Sequence, residues 1–168
     1  MTLSQLNHLP AAELKALMLK CCGSTTWANK MLSVFPVEDM IDLFEDAEDK
    51  WGECNEADWK EAFCHHPKIG DVSSLREKFA STAQWASGEQ SGVQEASEKI
   101  LKDLAHGNKL YEQKFGYIFI VCATGKSANE MLELLNARIH NSHGEELQIA
   151  AGEQAKITQL RLEKLLEG

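Results

Sequence analysis

The segment from Glu145 to Leu166 reads EELQIAAGEQAKITQLRLEKLL, with no proline and a single glycine. Residues spaced at three and four positions share one face of an α-helix. Here that face contains Ala150, Gln154, Ile157 and Leu165. The segment is therefore predicted to form the last helix of the chain.

The sequence before this segment has the same helical periodicity. Its three prolines, Pro10, Pro36 and Pro67, fall between periodic stretches. Ser24 and Asn55 are predicted to cap helices, and Ser127 with Glu130 is predicted to form a capping box. Helices are accordingly predicted over about 10–22, 24–34, 37–51, 55–63, 72–80, 89–106 and 127–141, with another turn or two before residue 116.

One apolar run, Tyr117 to Ala123, departs from this pattern. Its periodicity fits either a buried extended segment or the start of a helix. No other stretch alternates like a strand, and no repeat or linker interrupts the chain. The predicted fold is all-α, a single-domain compact bundle of about eight or nine helices over residues 1–168.

Composition and charge limit the classes of partner. The 168 residues suit one domain, and the net charge of -9 argues against nucleic acid, which requires a basic face. No apolar run is long enough to span a membrane, and no signal peptide is expected. The five cysteines lack Cys-x-x-Cys spacing, which predicts reduced thiols in a cytoplasmic protein without a zinc site.

The stretch CHHPKIGD, from Cys64 to Asp71, contains the first candidate functional residue. Pro67 disfavours helical geometry at His66, so this histidine is expected at a rigid corner, where it titrates near neutral pH. It either serves a site or simply caps a helix or meets solvent. Cys64 is a less favoured candidate for a thiol nucleophile, because neighbours in sequence seldom face each other productively.

The stretch WASGEQSG, from Trp85 to Gly92, places an acid and an amide at the start of the long helix. The helix dipole alone explains Glu89. It explains Gln90 and the flanking glycines less well, so Glu89 and Gln90 are further candidates for a functional site.

Arg161 lies within the apolar stripe of the last helix, four residues from both Ile157 and Leu165. A guanidinium in such surroundings requires an anionic partner. The partner is either a carboxylate of the protein or a bound anionic substrate. Arg138, which borders the stripe of the preceding helix, is predicted to form a structural ion pair.

Six groups of residues, taken in order, resemble the 2-oxo-4-hydroxy-4-carboxy-5-ureidoimidazoline (OHCU) decarboxylases over nearly the whole chain. They are Cys22-Gly23-Ser24 with Trp27-Ala28, His66-Pro67-x-Ile69-Gly70, Glu89-Gln90-x-Gly92, the run from Lys114 to Ala123, Glu153-Gln154-x-Lys156-Ile157, and Arg161-Leu162. Each is weak alone, whereas their order along the chain is specific. One departure is Ala86, where the family often has serine; Ser87 lies one place away.

The resemblance implies an all-α enzyme that needs no cofactor or metal and forms a homodimer. It implies that His66 and Glu89 are catalytic, with Glu89 orienting His66 or binding substrate. It also implies that Gln90 and Arg161 contact the substrate, and it assigns no role to His65. Groups expected to line the pocket belong to Pro67, Phe119, Ile120, Val121, Cys122 and Ala123.

The function that the resemblance implies is decarboxylation of OHCU to (S)-allantoin in urate breakdown, with His66 as the general acid. Two alternatives remain at this level. One is a hydrolase that uses His66 with Cys64 or a bound metal. The other is a helical interaction module without enzymatic activity.

Overall fold

The computed structural model describes residues 1–67, 72–78 and 91–167, and in these ranges the regular structure is entirely helical. The all-α prediction is confirmed. The described helices are α1 (Leu3–Asn7), α2 (Ala11–Cys21), α3 (Thr25–Leu32), α4 (Met40–Gly52), α5 (Glu56–Cys64), α6 (Val72–Lys78), α7 (Ser91–Phe115), α8 (Ala128–Arg138) and α9 (His143–Glu167). None of them is both long and apolar enough to cross a bilayer.

Side-chain caps fix the starts of several helices where the sequence predicts them. The Ser24 hydroxyl accepts a hydrogen bond from the Trp27 N–H and starts α3. Asn55 starts α5 through a complete capping box. Ser127 accepts from the Glu130 N–H and starts α8. Each cap satisfies an N–H that has no partner within its helix.

The structure adds one helix and corrects two of the predicted helix boundaries. The short helix α1, which the sequence pattern did not predict, begins at a capping box formed by Thr2. Helix α4 begins at Met40, because Asp39 caps it by accepting from the Asp42 N–H. Helix α7 continues without a break to Phe115, beyond the predicted end near residue 106.

Gly107 explains why the longer α7 is hard to predict. A glycine near a predicted helix end normally indicates termination. Here it allows close packing instead, since a Cβ at Gly107 would lie 2.5 Å from the Leu135 side chain of α8. A larger residue at position 107 would therefore require the Leu135 side chain to move.

Backbone contacts divide the chain into two compact units, Met1–His66 with Leu147–Gly168, and Pro67–Glu146. In the first unit α3 packs against α2, α4 and α5. The indole N–H of Trp27 donates to the Ala47 carbonyl at 3.0 Å, and that of Trp51 donates to the Ala151 carbonyl at 2.9 Å. In the second unit α7 packs against α6 and α8. That the whole chain forms one domain stays a prediction.

Candidate active site

His66 lies at the turn that follows α5. The helix ends at Cys64, His65 caps it, and Pro67 follows His66 directly. The His66 N–H donates to the carbonyl of Phe63 at 3.4 Å, and the Phe63 side chain is fully buried. The half-buried His66 therefore extends from an anchored corner, because the residue before a proline avoids helical geometry.

The same corner packs against the link between α2 and α3, residues Cys21–Ser24. A Cβ on Gly23 would lie 2.6 Å from both Cβ and Cγ of His65. Real Cβ atoms essentially never approach side-chain carbons so closely, so the contact requires glycine. The link thereby supports the turn that presents His66.

A buried amide contacts the His66 ring. The Nε2 atom of His66 lies 2.5 Å from the Oε1 atom of Gln154, a residue of α9 with no solvent exposure. The Gln154 amide N–H also donates to the Thr158 hydroxyl at 3.1 Å. The sequence pattern does not identify Gln154 as a site residue, although an amide inside an apolar stripe is the same signal that identifies Arg161.

Arg161 is half-buried, as its place in the apolar stripe predicts. Its Nη1 atom donates to the Cys21 carbonyl at 3.2 Å. Within residues 1–67, 72–78 and 91–167, no carboxylate forms an ion pair with it. Of the two partners expected for Arg161, a protein carboxylate is thus not found in this part of the chain.

The Cys21–Ser24 link connects the surroundings of His66 and Arg161. Gly23 contacts His65, and the Cys21 carbonyl accepts from Arg161. On α9, the partner of His66 lies two helical turns before Arg161, about 10 Å along the axis. The first unit therefore holds a titratable imidazole and a cation around one link, a combination suited to an anionic substrate.

The thiols near this site are poor nucleophiles. Burial raises the pKa of Cys21 to about 11, against the opposing effect of the Arg161 charge. Burial likewise raises the pKa of Cys22 to about 12. Since the thiolate is the reactive form, both thiols are largely unreactive at neutral pH.

The remaining cysteine and the possible metal ligands give little support to a hydrolase that uses a thiol or a metal. Cys64 is exposed at the end of α5. In the described ranges, no three His, Cys, Asp or Glu side chains are grouped so that they could hold a metal ion.

A cavity of about 310 Å³ in the first unit is lined by neither His66 nor Arg161. Trp27, Phe44 and Trp51 contribute to its walls, and its charged lining residues are Glu48 and Lys156. Glu48 and Lys156 are both solvent-exposed. Because it lacks a histidine and a buried charge, the cavity is not the candidate active site.

In the second unit, residues 117–123 form neither helix nor strand, which rules out the helix start that the sequence left open. Gly116, with φ of +83°, lets the chain turn out of α7 into this segment. Ile120, Val121 and Cys122 are buried, and Phe119 is half-buried. The segment is therefore buried non-helical backbone, as the other reading predicted.

A buried ion pair between Arg138 and Glu146 packs against the Phe119 ring. Arg138 pairs with Glu146, which has no solvent exposure and also accepts from the Tyr111 hydroxyl at 2.6 Å. The Arg138 guanidinium lies 4.5 Å from the centre of the Phe119 ring, and the Tyr111 ring meets the same ring edge-on at 5.2 Å. The predicted structural ion pair of Arg138 is confirmed, and it helps to fix the 117–123 segment.

We expect Glu146→Gln to destabilise the protein by about 3 kcal/mol, because it leaves the Arg138 charge buried without its counter-ion. Chemical denaturation measures the free energy of unfolding. The matched control is Glu145→Gln at the neighbouring exposed position, which should change this free energy by no more than about 0.5 kcal/mol. Equal stability of the two variants would show that the ion pair contributes nothing.

Comparison with models of known protein families shows to which family the chain belongs. A family model described as OHCU decarboxylase matches residues 7–163, nearly the whole sequence. The chain belongs to the OHCU decarboxylase family. The family resemblance inferred from the sequence motifs is therefore confirmed.

Individual relatives agree with this assignment. The chain is 40% identical over 148 residues to the uric acid degradation bifunctional protein TTL of Arabidopsis thaliana, covering 86% of this chain and 45% of that protein. It is 31% identical over 97 residues to the 2-oxo-4-hydroxy-4-carboxy-5-ureidoimidazoline decarboxylase of Xenopus laevis, covering 58% and 55%. The chain thus spans about half the length of these curated relatives.

Solved structures place the fold in the same family. A crystal structure of an OHCU decarboxylase in the presence of (S)-allantoin superposes with a TM-score of 0.69 at 37% identity, covering 89% of this chain and 96% of that one. A crystal structure of an (S)-allantoin synthase gives the same TM-score at 17% identity, which shows the fold alone.

Two residues expected at the OHCU decarboxylase site, Glu89 and Gln90, lie outside the described residues. So do the motif residues Ile69 and Gly70 and the departure at Ala86 and Ser87. Of the expected residues that are described, His66 and Arg161 belong to the first unit, whereas Pro67 and the 119–123 segment belong to the second.

Proposed function

We propose that this chain removes carbon dioxide from OHCU and produces (S)-allantoin during urate degradation. Family membership supports this proposal. So does the similarity to two relatives, one a uric acid degradation bifunctional protein and one a 2-oxo-4-hydroxy-4-carboxy-5-ureidoimidazoline decarboxylase. The observation that carries it is the pairing of His66 with the buried Gln154, in the same unit as an arginine that pairs with no described carboxylate.

The proposed substrate contains its own electron sink. When the bond to the carboxylate breaks, its two electrons move into the adjacent C=N bond of the ring and leave an enol; addition of a proton to the ureido-bearing carbon and loss of the hydroxyl proton then give allantoin. Carbon dioxide leaves, and the protein must hold the carboxylate out of the ring plane so that the breaking bond overlaps the π-system. For this reason the reaction needs no pyridoxal or thiamine cofactor.

In this proposal His66 is the general acid. The protonated imidazole gives a proton to one face of the planar carbanion and recovers a proton from solvent. A histidine suits the task because its ordinary pKa lies near working pH. Its anchored corner before Pro67 and its contact with Gln154 restrict the direction from which the proton arrives.

Arg161 is proposed to stabilise negative charge on the substrate. A decarboxylase gains little from gripping the leaving carboxylate in the ground state, because only interactions that strengthen in the transition state accelerate the step. We therefore assign Arg161 to the oxyanion that develops on the ring. Its remaining guanidinium N–H groups suit such an anion.

Further contacts are proposed by family resemblance. Glu89 orients His66 or binds the hydroxyl and ureido groups of the substrate. Gln90 and the backbone of Phe119, Ile120, Val121, Cys122 and Ala123 recognise the ureide amides, and the backbone at Pro67 completes the pocket. A cytoplasmic homodimer acting on a small molecule, without nucleic acid or membrane, completes the proposal.

The proposed chemistry predicts full activity after extensive dialysis, in excess chelator, and after alkylation of exposed thiols. The chemistry requires no metal, and the thiol that an alkylating agent meets is the exposed Cys64. Initial rates before and after each treatment provide the measurement, with mass spectrometry confirming alkylation. Activity that returns only with added metal would refute cofactor independence, whereas inactivation on alkylation of Cys64 would favour the thiol alternative.

The experiment that tests the proposed function is circular dichroism during conversion of freshly generated OHCU. Spontaneous decay in water gives racemic allantoin, because water protonates both faces of the carbanion. The enzyme is expected to give optically active product as the substrate disappears. A product without optical activity would contradict the assignment of a fixed proton donor.

A further inference from the structure

Gln154 belongs to a chain of side-chain hydrogen bonds that leads from His66 into the core of the first unit. Its Oε1 atom contacts His66 Nε2 at 2.5 Å, and its Nε2 atom donates to the Thr158 hydroxyl at 3.1 Å. The Thr158 hydroxyl also lowers the pKa of the Cys22 thiol, against the larger opposing effect of burial. Gln154, Thr158 and Cys22 are all buried.

The contacts at its two ends orient the Gln154 amide. A hydroxyl oxygen can accept hydrogen bonds, and that of Thr158 lies 3.1 Å from the Nε2 atom of Gln154. The Thr158 oxygen is then an acceptor, and the end of the Gln154 amide that faces it is the NH₂ group. The opposite end, which faces His66, is therefore the carbonyl oxygen, an acceptor only.

This orientation has a consequence for the proton on His66. A neutral imidazole carries one proton, and the nitrogen that carries it is set by its hydrogen-bond partner. An acceptor at Nε2 favours the tautomer with its proton on Nε2. In that tautomer Nδ1 is the nitrogen that gains and loses a proton.

We propose that Gln154 is a positioning residue that holds the neutral His66 imidazole in the Nε2–H tautomer. The proposal rests on the proposed role of His66 as the general acid. Gln154 itself touches the imidazole and acts through it. Thr158 supports the arrangement by preventing the amide from turning its NH₂ group toward His66.

Nitrogen NMR of the histidine side chains tests this directly, because the two ring nitrogens of a neutral imidazole have different shifts when protonated and unprotonated. The His66 signals are assigned by their loss in His66→Asn. We expect wild-type His66 to carry its neutral-state proton on Nε2. A neutral-state proton on Nδ1 would overturn the proposal.

Variants of Gln154 connect the tautomer to catalysis. Gln154→Leu has similar volume but no acceptor, so we expect loss of the tautomer preference and a fall in kcat/KM of about ten- to a hundred-fold, the usual effect of removing such an orienting bond. Gln154→Glu retains an acceptor oxygen and should keep the Nε2–H tautomer and exceed the leucine variant in kcat/KM. Gln159→Leu, an exposed glutamine of the same helix, is the matched control and should behave as wild type.

The outcomes separate this inference from the proposed function. If Gln154→Leu keeps the wild-type tautomer and the wild-type kcat/KM, the positioning role is overturned. If Gln154→Leu fails to fold, Gln154→Glu decides, since a glutamate variant with its proton on Nδ1 also overturns it. A protein that shows the expected tautomers but does not decarboxylate OHCU would overturn the proposed function and leave the positioning role supported.

Discussion

Replacing His66 with asparagine is expected to abolish the acceleration of OHCU decay and leave the slow spontaneous reaction with racemic product. General acid catalysis typically contributes about 10²- to 10⁴-fold, and asparagine cannot supply a proton at neutral pH. Asparagine still offers a hydrogen-bonding amide at this corner, so the fold should persist. Ultraviolet decay gives the rate, and circular dichroism gives the handedness of the allantoin.

The control for this variant is His140→Asn, which changes an exposed histidine in the turn after α8. It should retain the wild-type rate and handedness. Glu89→Gln should slow the reaction while its product stays enriched in one hand, because the proton donor remains. If His66→Asn keeps near-normal rate and handedness, another group donates the proton, and Glu89 becomes the next candidate.

The second large effect is expected for Arg161→Lys. Lysine keeps the charge but loses the planar fork that holds an oxyanion through more than one N–H. We expect a folded protein with kcat/KM reduced on the order of a hundred-fold, because a charge-assisted hydrogen bond is worth about 1.5–3 kcal/mol. Arg76→Lys is the matched control, since Arg76 is exposed and pairs with Glu98.

Measuring both the melting temperature and the turnover of Arg161→Lys distinguishes a substrate-binding role from a structural role. If Arg161 binds substrate, turnover per folded molecule falls while the melting temperature stays near wild type. A lower melting temperature with intact turnover would mean that Arg161 serves the structure, for example through its contact with the Cys21 carbonyl. That outcome would remove it from the active site.

Much of the fold follows from local sequence signals. The caps at Ser24, Asn55 and Ser127 depend on side chains that bond within three residues, so their effect is visible in sequence. The length of α7 cannot be predicted in this way, because Gly107 resembles the glycine that ends many helices. Its packing against Leu135, a residue distant in sequence, explains why a glycine lies inside the helix. Local patterns therefore predict capped helix starts well, but not the packing that extends a helix past a glycine.

The candidate site likewise has features that the sequence predicts and features that it does not. Pro67 predicts the corner that presents His66, and the apolar stripe predicts the half-buried position of Arg161. The contact of His66 with Gln154 joins residues far apart in sequence, and periodicity alone gives no reason to pair them. The counter-ion of Arg138 is similar, since Glu146 belongs to the next helix and only the fold brings the two together.

The most direct test of the central proposal is to follow freshly generated OHCU with two simultaneous readings, ultraviolet absorbance and released carbon dioxide. The proposal predicts that both proceed at one rate, which rises in proportion to protein concentration above the spontaneous background. A hydrolase would consume substrate faster than carbon dioxide appears. An interaction module would leave both readings at the background rate, and either result would contradict the assignment of this chain as an OHCU decarboxylase.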